Sequence, residues 1–504
     1  MTALESRSRL SLEILALGAV GGIAGDQLLR AMPWGLNITV CTAGFVAATA
    51  WLIRRYRLTV GPDAPWLAIT ALLLSAAFLR RDAQVLMTFD AFALILTLCL
   101  GAASLQRETI AGWRLFDYVR AGVTTAFGTI AGSVLLVSQD VKWRDVPMEG
   151  RWRHARAVLL GVIIATPLLL IFAALFASAD QVFGNVLQNL FAFDVESVIS
   201  HTFLFGFWAA LSAGYLRWSL LAQPMRTPAD LGNVHVGIVP VATVLALLNA
   251  LFLLFVVVQL RYFFGGASLV EETTGLTYAV YARRGFMELV TASALVLPIL
   301  LVGDHVVRGS APGHVAVFRR LAGLLLALLA VIMASAFERM RLYVAAFGLT
   351  EDRLYATAFM LLLLGVFAWF CWTVLRGSRQ RFAFGVLMQG LGILAGLHLL
   401  NPDAFILRTN LNRPAAERPF DAAYAVRLGA DAVPLLVDAL PRLDTSDRCT
   451  VASKLLKRWH DRKLDWRSWN WSRSRAVHLV SQHKAELSAI ALQPACKAAE
   501  PKRS

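Results

Sequence analysis

Apolar residues in this chain come in blocks of about 20, the length a helix needs to cross a hydrocarbon core about 30 Å thick, separated by short polar turns. The blocks fall near residues 10–29, 34–53, 65–79, 84–105, 117–137, 156–177, 198–222, 236–263, 285–307, 318–338, 354–375 and 382–400. Twelve is an upper count. The third, "PWLAITALLLSAAFL", is short, and the fifth, "DYVRAGVTTAFGTIAGSVLLVS", is diluted by Gly, Thr and Arg120, so either suits a partial or interfacial helix. The first follows Arg7 and Arg9 as a secretory leader would, but Glu13 and Asp26 bracket it and another block comes at once. It reads as a signal anchor that stays.

Polar loops set the orientation, because lysine and arginine are retained on the cytoplasmic side. The loop with Lys142, Arg144, Arg151, Arg153 and Arg156 is basic, whereas the next has no basic residue and carries Asp180, Asp194 and Glu196. Counting forward from the basic loop puts the tail after Leu400 outside. Counting back through five full spans leaves Arg54, Arg55 and Arg57 on the wrong side, a conflict removed if one of the two weak blocks does not cross. Eleven spans is the preferred count. The expected fold is an all-α polytopic transmembrane bundle, with N-terminal helices over 1–138, a second bundle over 139–400, and a small helical, basic, Trp-rich tail over 401–504.

Composition agrees: 58% of residues are hydrophobic and 16% charged, against about 25% charged in soluble domains. The net charge of +15 fits attraction to anionic phospholipids of the bilayer.

Charged residues gather on the face opposite the basic loop. "YARRGFMELV" brings Arg283, Arg284 and Glu288; "SAFERMRLYVAAFGLTEDRLY" brings Glu338, Arg339, Arg341, Tyr343, Glu351, Asp352 and Arg353; "NPDAFILRTNLNR" brings Asp403, Arg408, Asn410 and Arg413. Ordinary snorkelling pairs explain such residues. The sharper alternative is a site for an anionic group such as a lipid phosphate, which suits arginine's planar fork. Its candidate residues are Arg283, Arg284, Glu288, Glu338, Arg339, Arg341, Arg353 and Asp403.

Together with "ASADQVF" and "QLRYFFGG", these motifs resemble a bacterial polytopic family, domain of unknown function 4173, related to 4153, over about residues 150–440. The resemblance implies a bacterial plasma-membrane protein and carries no catalytic residue.

Other signals are weaker. Asp90 sits about six residues into its block, where a carboxylate is protonated, partnered or facing water. His201, His305 and His398 lie near block ends without metal-site spacing, so no metal or cofactor is expected. Glycine pairs 18/22, 21/25, 128/132 and 392/396 predict close helix packing inside the bundle. No phosphate loop, "GxSxG" or "HExxH" occurs.

The tail carries 18 Lys and Arg against 11 acids. "FDAAYAVRLGADAVPLLVDALPRL" predicts a short helix, a stop at Gly429 and a second helix from about Asp431. Trp459, Trp466, Trp469 and Trp471 among basic residues fit a domain core or membrane docking rather than nucleic acid. Cys449 and Cys496 can pair in an oxidising exterior. Three readings follow. The first is a non-enzymatic envelope scaffold or sensor whose tail touches a protein partner. The second is a lipid-phosphate-handling protein or transferase using the arginine cluster, and the third an ion-coupled transporter using Asp90.

Overall fold

A computed structural model describes residues 3–106, 108–141, 195–222, 237–264, 286–307, 310–413, 420–460 and 465–494, with isolated positions from 161 to 183 and at 462, 463 and 496. Among them the fold is all-α, without strands. The long helices are α1 (Ala3–Leu29), α2 (Leu36–Tyr56), α3 (Ala64–Arg80), α4 (Gln84–Leu105), α5 (Leu115–Leu135), α6 (Val195–Leu220), α7 (Ile238–Phe264), α8 (Phe286–Val306), α9 (Pro312–Phe347), α10 (Glu351–Thr373) and α11 (Phe382–Leu400). They are followed by α12 (Pro402–Leu411), α13 (Ala422–Ala425), α14 (Val433–Ala439), α15 (Thr445–Trp459), α16 (Trp471–Gln482) and α17 (Lys484–Ala491). The expected block at 156–177 and the loop with Arg151 and Arg153 fall mostly outside the described residues.

Contacts at the helix ends define two faces. On one, Arg55 at the end of α2 meets Glu13 near the start of α1 at 2.9 Å. Gly61 before α3 donates to the Ser104 carbonyl at the end of α4. Trp66 at the start of α3 packs on Phe384 at the start of α11, and Arg379 meets Asp304 near the end of α8 at 2.7 Å. Arg54, Arg55, Arg217, Arg319, Arg320, Arg376 and Arg381 belong to helix ends on this basic face. On the other, Arg81 after α3 donates to the His398 carbonyl near the end of α11, and the tail domain covers the helix ends.

The two weak blocks separate here. Helix α3 runs from one face to the other despite its 17 residues. Helix α5 does not. Its first turn clusters with Leu67, Leu100 and Ala383, all near helix ends on the basic face. It then passes α4, where Thr125 donates to the Cys99 carbonyl, and α6, where the Gly132 and Gly214 backbones touch. At Asp140, just past its end, it receives Arg7 at 2.8 Å and Arg217 at 2.6 Å, again on the basic face. Length and apolarity alone pick ten helices able to span, with Leu115–Asp140 among them and Ala64–Arg80 too short. Contacts reverse those two choices.

Close packing follows the glycine pairs unevenly. Gly18 and Gly22 press on Ala209 and Ala213 of α6, and Gly25 on Trp208; added Cβ atoms would come within 2.2–2.8 Å. A Cβ added at Gly392 or Gly396 would meet nothing within 4 Å among the described residues, so no close packing is seen there for this pair.

The tail does not hang free. Its core joins Val451, Leu455, Trp459, Ala476 and Leu487 to Leu349 and Leu354 at the α9–α10 turn, and to Ile406 and Leu407 of α12. The expected break at residue 400 coincides with the end of α11, but apolar packing runs across it. Trp459 is buried, and Trp466 and Trp471 are exposed.

Candidate functional site

The turn from α9 to α10 is set by Gly348, whose φ of 82° lies in the left-handed region that glycine adopts without strain. Asn410 of α12 holds the next residue from both sides: its Oδ1 accepts from Leu349 N at 2.7 Å and its Nδ2 donates to Leu349 O at 2.8 Å. The Tyr424 hydroxyl of α13 accepts from the Glu351 N–H at 2.9 Å, and burial pushes this phenol up to about 12. These contacts frame a cavity of about 540 Å³ between bundle and tail, whose charged lining is Arg353, Arg413, Asp421 and Asp447. Arg353 stacks over the Tyr343 ring at 4.0 Å and donates to the Gly348 carbonyl. Arg413 donates to the Ala345 carbonyl at 2.5 Å.

Beside the cavity the tail is fastened to the bundle by buried charge. Arg81 pairs with Asp431 at 3.0 Å and also donates to His398 O at 2.8 Å. Asp431 accepts from the Asp82 N–H at 2.8 Å and from the Ser472 hydroxyl at 2.7 Å. Arg473 reaches Asp82 at 3.2 Å and donates to Trp34 O at 2.9 Å, while Asn470 donates to Phe78 O at 2.7 Å and Arg81 O at 2.8 Å. Leu36 N–H donates to Trp469 O at 2.9 Å. Burial pushes the Asp82 carboxyl up and the Arg473 guanidinium down, and their mutual attraction offsets only part of either effect. Such a pair adds little net stability, yet losing one partner strands the other, at a cost of about 3–5 kcal/mol.

Asp403 lies within this network. It is fully buried and accepts from the Gly429 N–H at 2.9 Å. Burial, then Glu351 and Asp431, push its carboxyl up to about 7, against the Gly429 hydrogen bond. Gly429 has no room for a side chain, since a Cβ would stand 2.5 Å from Asp403 Oδ2 and 2.6 Å from Asp82 O.

Among the sequence candidates, Arg283 and Arg284 lie outside the described residues. Glu288, in the first turn of α8, is exposed. Glu338 pairs with Arg341 along α9 at 2.5 Å, and Arg339 on the same helix is half-buried. Arg353 enters the cavity and Asp403 the docking network. The described members share one face but divide among three environments. Asp90, expected to need a partner, has one: His398 Nε2 stands 2.9 and 3.0 Å from its two oxygens.

The sequence singled out none of Arg81, Asp82 and Arg473, and Asp431 only as the start of a helix. One signal was present. "LRRDA" at 79–83 puts two arginines at the end of a block which, once α3 crosses, faces away from the basic loops.

A family model described as a domain of unknown function, DUF4153, matches residues 68–439. No curated protein and no solved structure matches the chain.

Proposed function

Since the chain belongs to the DUF4153 family, a domain of unknown function, we propose from its geometry that it is a non-enzymatic scaffold or sensor of the cell envelope. In this reading the helical tail is clamped to the outer face of a multi-pass bundle. The clamp carries the proposal: two ion pairs and the Asn470 and Ser472 hydrogen bonds join helix ends of the bundle to the tail. A rigid platform results, with a cavity whose walls come from both parts, so that an occupant touches bundle and tail together. Kinship with the 4173 family and a bacterial plasma-membrane location belong to the same proposal.

Two observations support placing the tail outside. The arginines of the basic face would then lie in the cytoplasm, as the inside rule requires. The Cys449–Cys496 disulfide, whose Cα atoms are 5.2 Å apart, suits an oxidising compartment.

Ser468, 5% exposed at the docking face, and Trp466, 65% exposed beside it, provide the test. In intact cells a membrane-impermeant maleimide should label Trp466→Cys quickly and Ser468→Cys slowly, and Asp431→Asn should speed the latter. Labelling of Trp466→Cys only after permeabilisation would refute the outer location. Equal rates at both positions in the otherwise natural chain would refute the clamp.

A further inference from the structure

The cavity between bundle and tail is lined by charges of both signs that do not meet each other. Arg353 and Arg413 form no ion pair among the described residues, and neither do Asp421, Asp444 or Asp447. Of the cations, Arg353 is on α10 of the bundle and Arg413 lies just past α12, the first helix after the bundle; the acids come from farther along the tail, Asp421 before α13 and Asp447 in the first turn of α15. Each arginine has one hydrogen bond to a carbonyl, leaving four of a guanidinium's five donors uncommitted by those bonds. The acids have local duties: Asp421 accepts from Tyr424 N and Asp444 from Asp447 N, each at 2.8 Å. A carboxylate has about four acceptor positions, so these duties leave most of them open. Burial, with Asp444 and Asp421 nearby, pushes the Asp447 carboxyl up, which an arriving cation would relieve.

A single ligand can answer both walls if it carries an anion and a cation a few bonds apart. Arginine forks suit a tetrahedral phosphate, and carboxylates suit a primary ammonium, which offers three N–H donors. Position favours an amphiphile. Helix α10 has 23 residues, about 34 Å at 1.5 Å per residue, slightly more than a hydrocarbon core of about 30 Å. Its first turn, with Arg353, therefore stands at headgroup depth. Phe347, Leu407 and Phe420 add apolar lining.

We infer that this cavity binds a phosphoethanolamine group, with its phosphate on Arg353 and Arg413 and its ammonium toward Asp421 and Asp447. The inference rests on the clamped-tail reading, since the tail supplies the acidic wall. The group can come from a membrane phospholipid or a water-soluble ester, and the chemistry at the site is the same.

The test uses the full chain in nanodiscs holding equal phosphatidylethanolamine, phosphatidylglycerol and phosphatidylcholine, with retained lipid counted by native mass spectrometry. Ethanolamine lipid should be retained about tenfold over the other two, the factor expected for one charge-assisted hydrogen bond. Glycerol lipid lacks the cation; choline lipid lacks ammonium N–H donors. Arg413→Gln and Asp447→Asn should each abolish the preference. Ala423→Trp should do so by filling the cavity while its charges stay in place. Slow labelling of Ser468→Cys in each variant shows that the clamp persists, so ligand failure is distinguishable from clamp failure. If glycerophosphoethanolamine displaces the retained lipid, or binds in discs lacking ethanolamine lipid, with the wild-type chain and not the variants, the source is the soluble ester. Equal retention of glycerol and ethanolamine lipids, together with no specific binding of glycerophosphoethanolamine, would overturn the inference. So would ethanolamine preference unchanged in all three variants with the clamp intact.

Discussion

At Asp403 a carboxylate has no exposed surface, one oxygen on the Gly429 N–H and the other without a hydrogen-bond partner among the described residues. Its value of about 7, against 3.8 ordinarily, means that the folded chain holds a proton which the unfolded chain has released across that window. Stability therefore falls as pH rises from about 4 through about 7 and levels off above, the sign for a carboxyl raised by folding. Asp82, raised by burial too, adds to the same slope. Asp403→Asn keeps an acceptor for Gly429 without the charge, so the thermal midpoint of the purified protein should lose much of its decline between about pH 5 and pH 8, and should rise at the upper end. An unchanged slope would show that Asp403 does not carry it. The sequence identified this residue and grouped it with arginines at 283–284 and 338–353; the first two lie outside the described residues, and the described surroundings of Asp403 are Gly429, Asp82, Asp431 and Glu351. Arg81 and Asp431 are 350 positions apart, a distance at which periodicity and spacing carry no information.

Among the elements, two apolar blocks gave the helix limits closely: 84–105 and 382–400 are the bounds of α4 and α11. The pattern failed for α9. Arg319, Arg320, Glu338, Arg339 and Arg341 make the apolar block seem to end at 338, while the helix continues from Pro312 to Phe347. Its 36 residues span about 54 Å, beyond a bilayer of about 40–45 Å including headgroups. Hydropathy also misjudges α3 and α5, because it measures the transfer of a segment into lipid and is blind to where its ends are tied. The stripe Phe116, Val119, Val123, Phe127, Ile130, Val134 and Val137 is exposed along α5, opposite Tyr118, Thr125, Gly132 and Leu136, which are buried. Such a helix can lie along one face with its apolar side in the acyl boundary. Reporter fusions at 61, 112 and 141 should therefore share one side of the membrane, and a fusion at 82 should lie on the other. If 112 and 141 fall on opposite sides, α5 crosses and the contact argument fails.

For the whole molecule, these assignments fix a parity. Ten described helices cross, α1–α4 and α6–α11; the start of α1 is on the basic face and the end of α11 on the tail face. Opposite ends require an odd number of crossings, as in the count of eleven expected from the sequence; the block at 156–177 that completes that count falls mostly outside the described residues. The clamp and the disulfide are linked through the chain. Cys449 sits on α15 and Cys496 lies beyond α17, so the bond closes a loop across 47 positions around α16, the helix that carries Ser472 and Arg473 into the interface. Cross-linking a loop of that size is worth about 2–4 kcal/mol through the unfolded chain. Reduction should therefore loosen the clamp: dithiothreitol should raise the labelling rate of Ser468→Cys, and Cys449→Ala with Cys496→Ala should show the faster rate without reductant. An exterior tail further requires both cysteines to resist alkylation in intact cells until they are reduced by an agent that does not cross the membrane. Free thiols at both positions before reduction would remove the support that the disulfide lends to an outer location, and with it one of the two observations that favour the proposed outer side for the cavity.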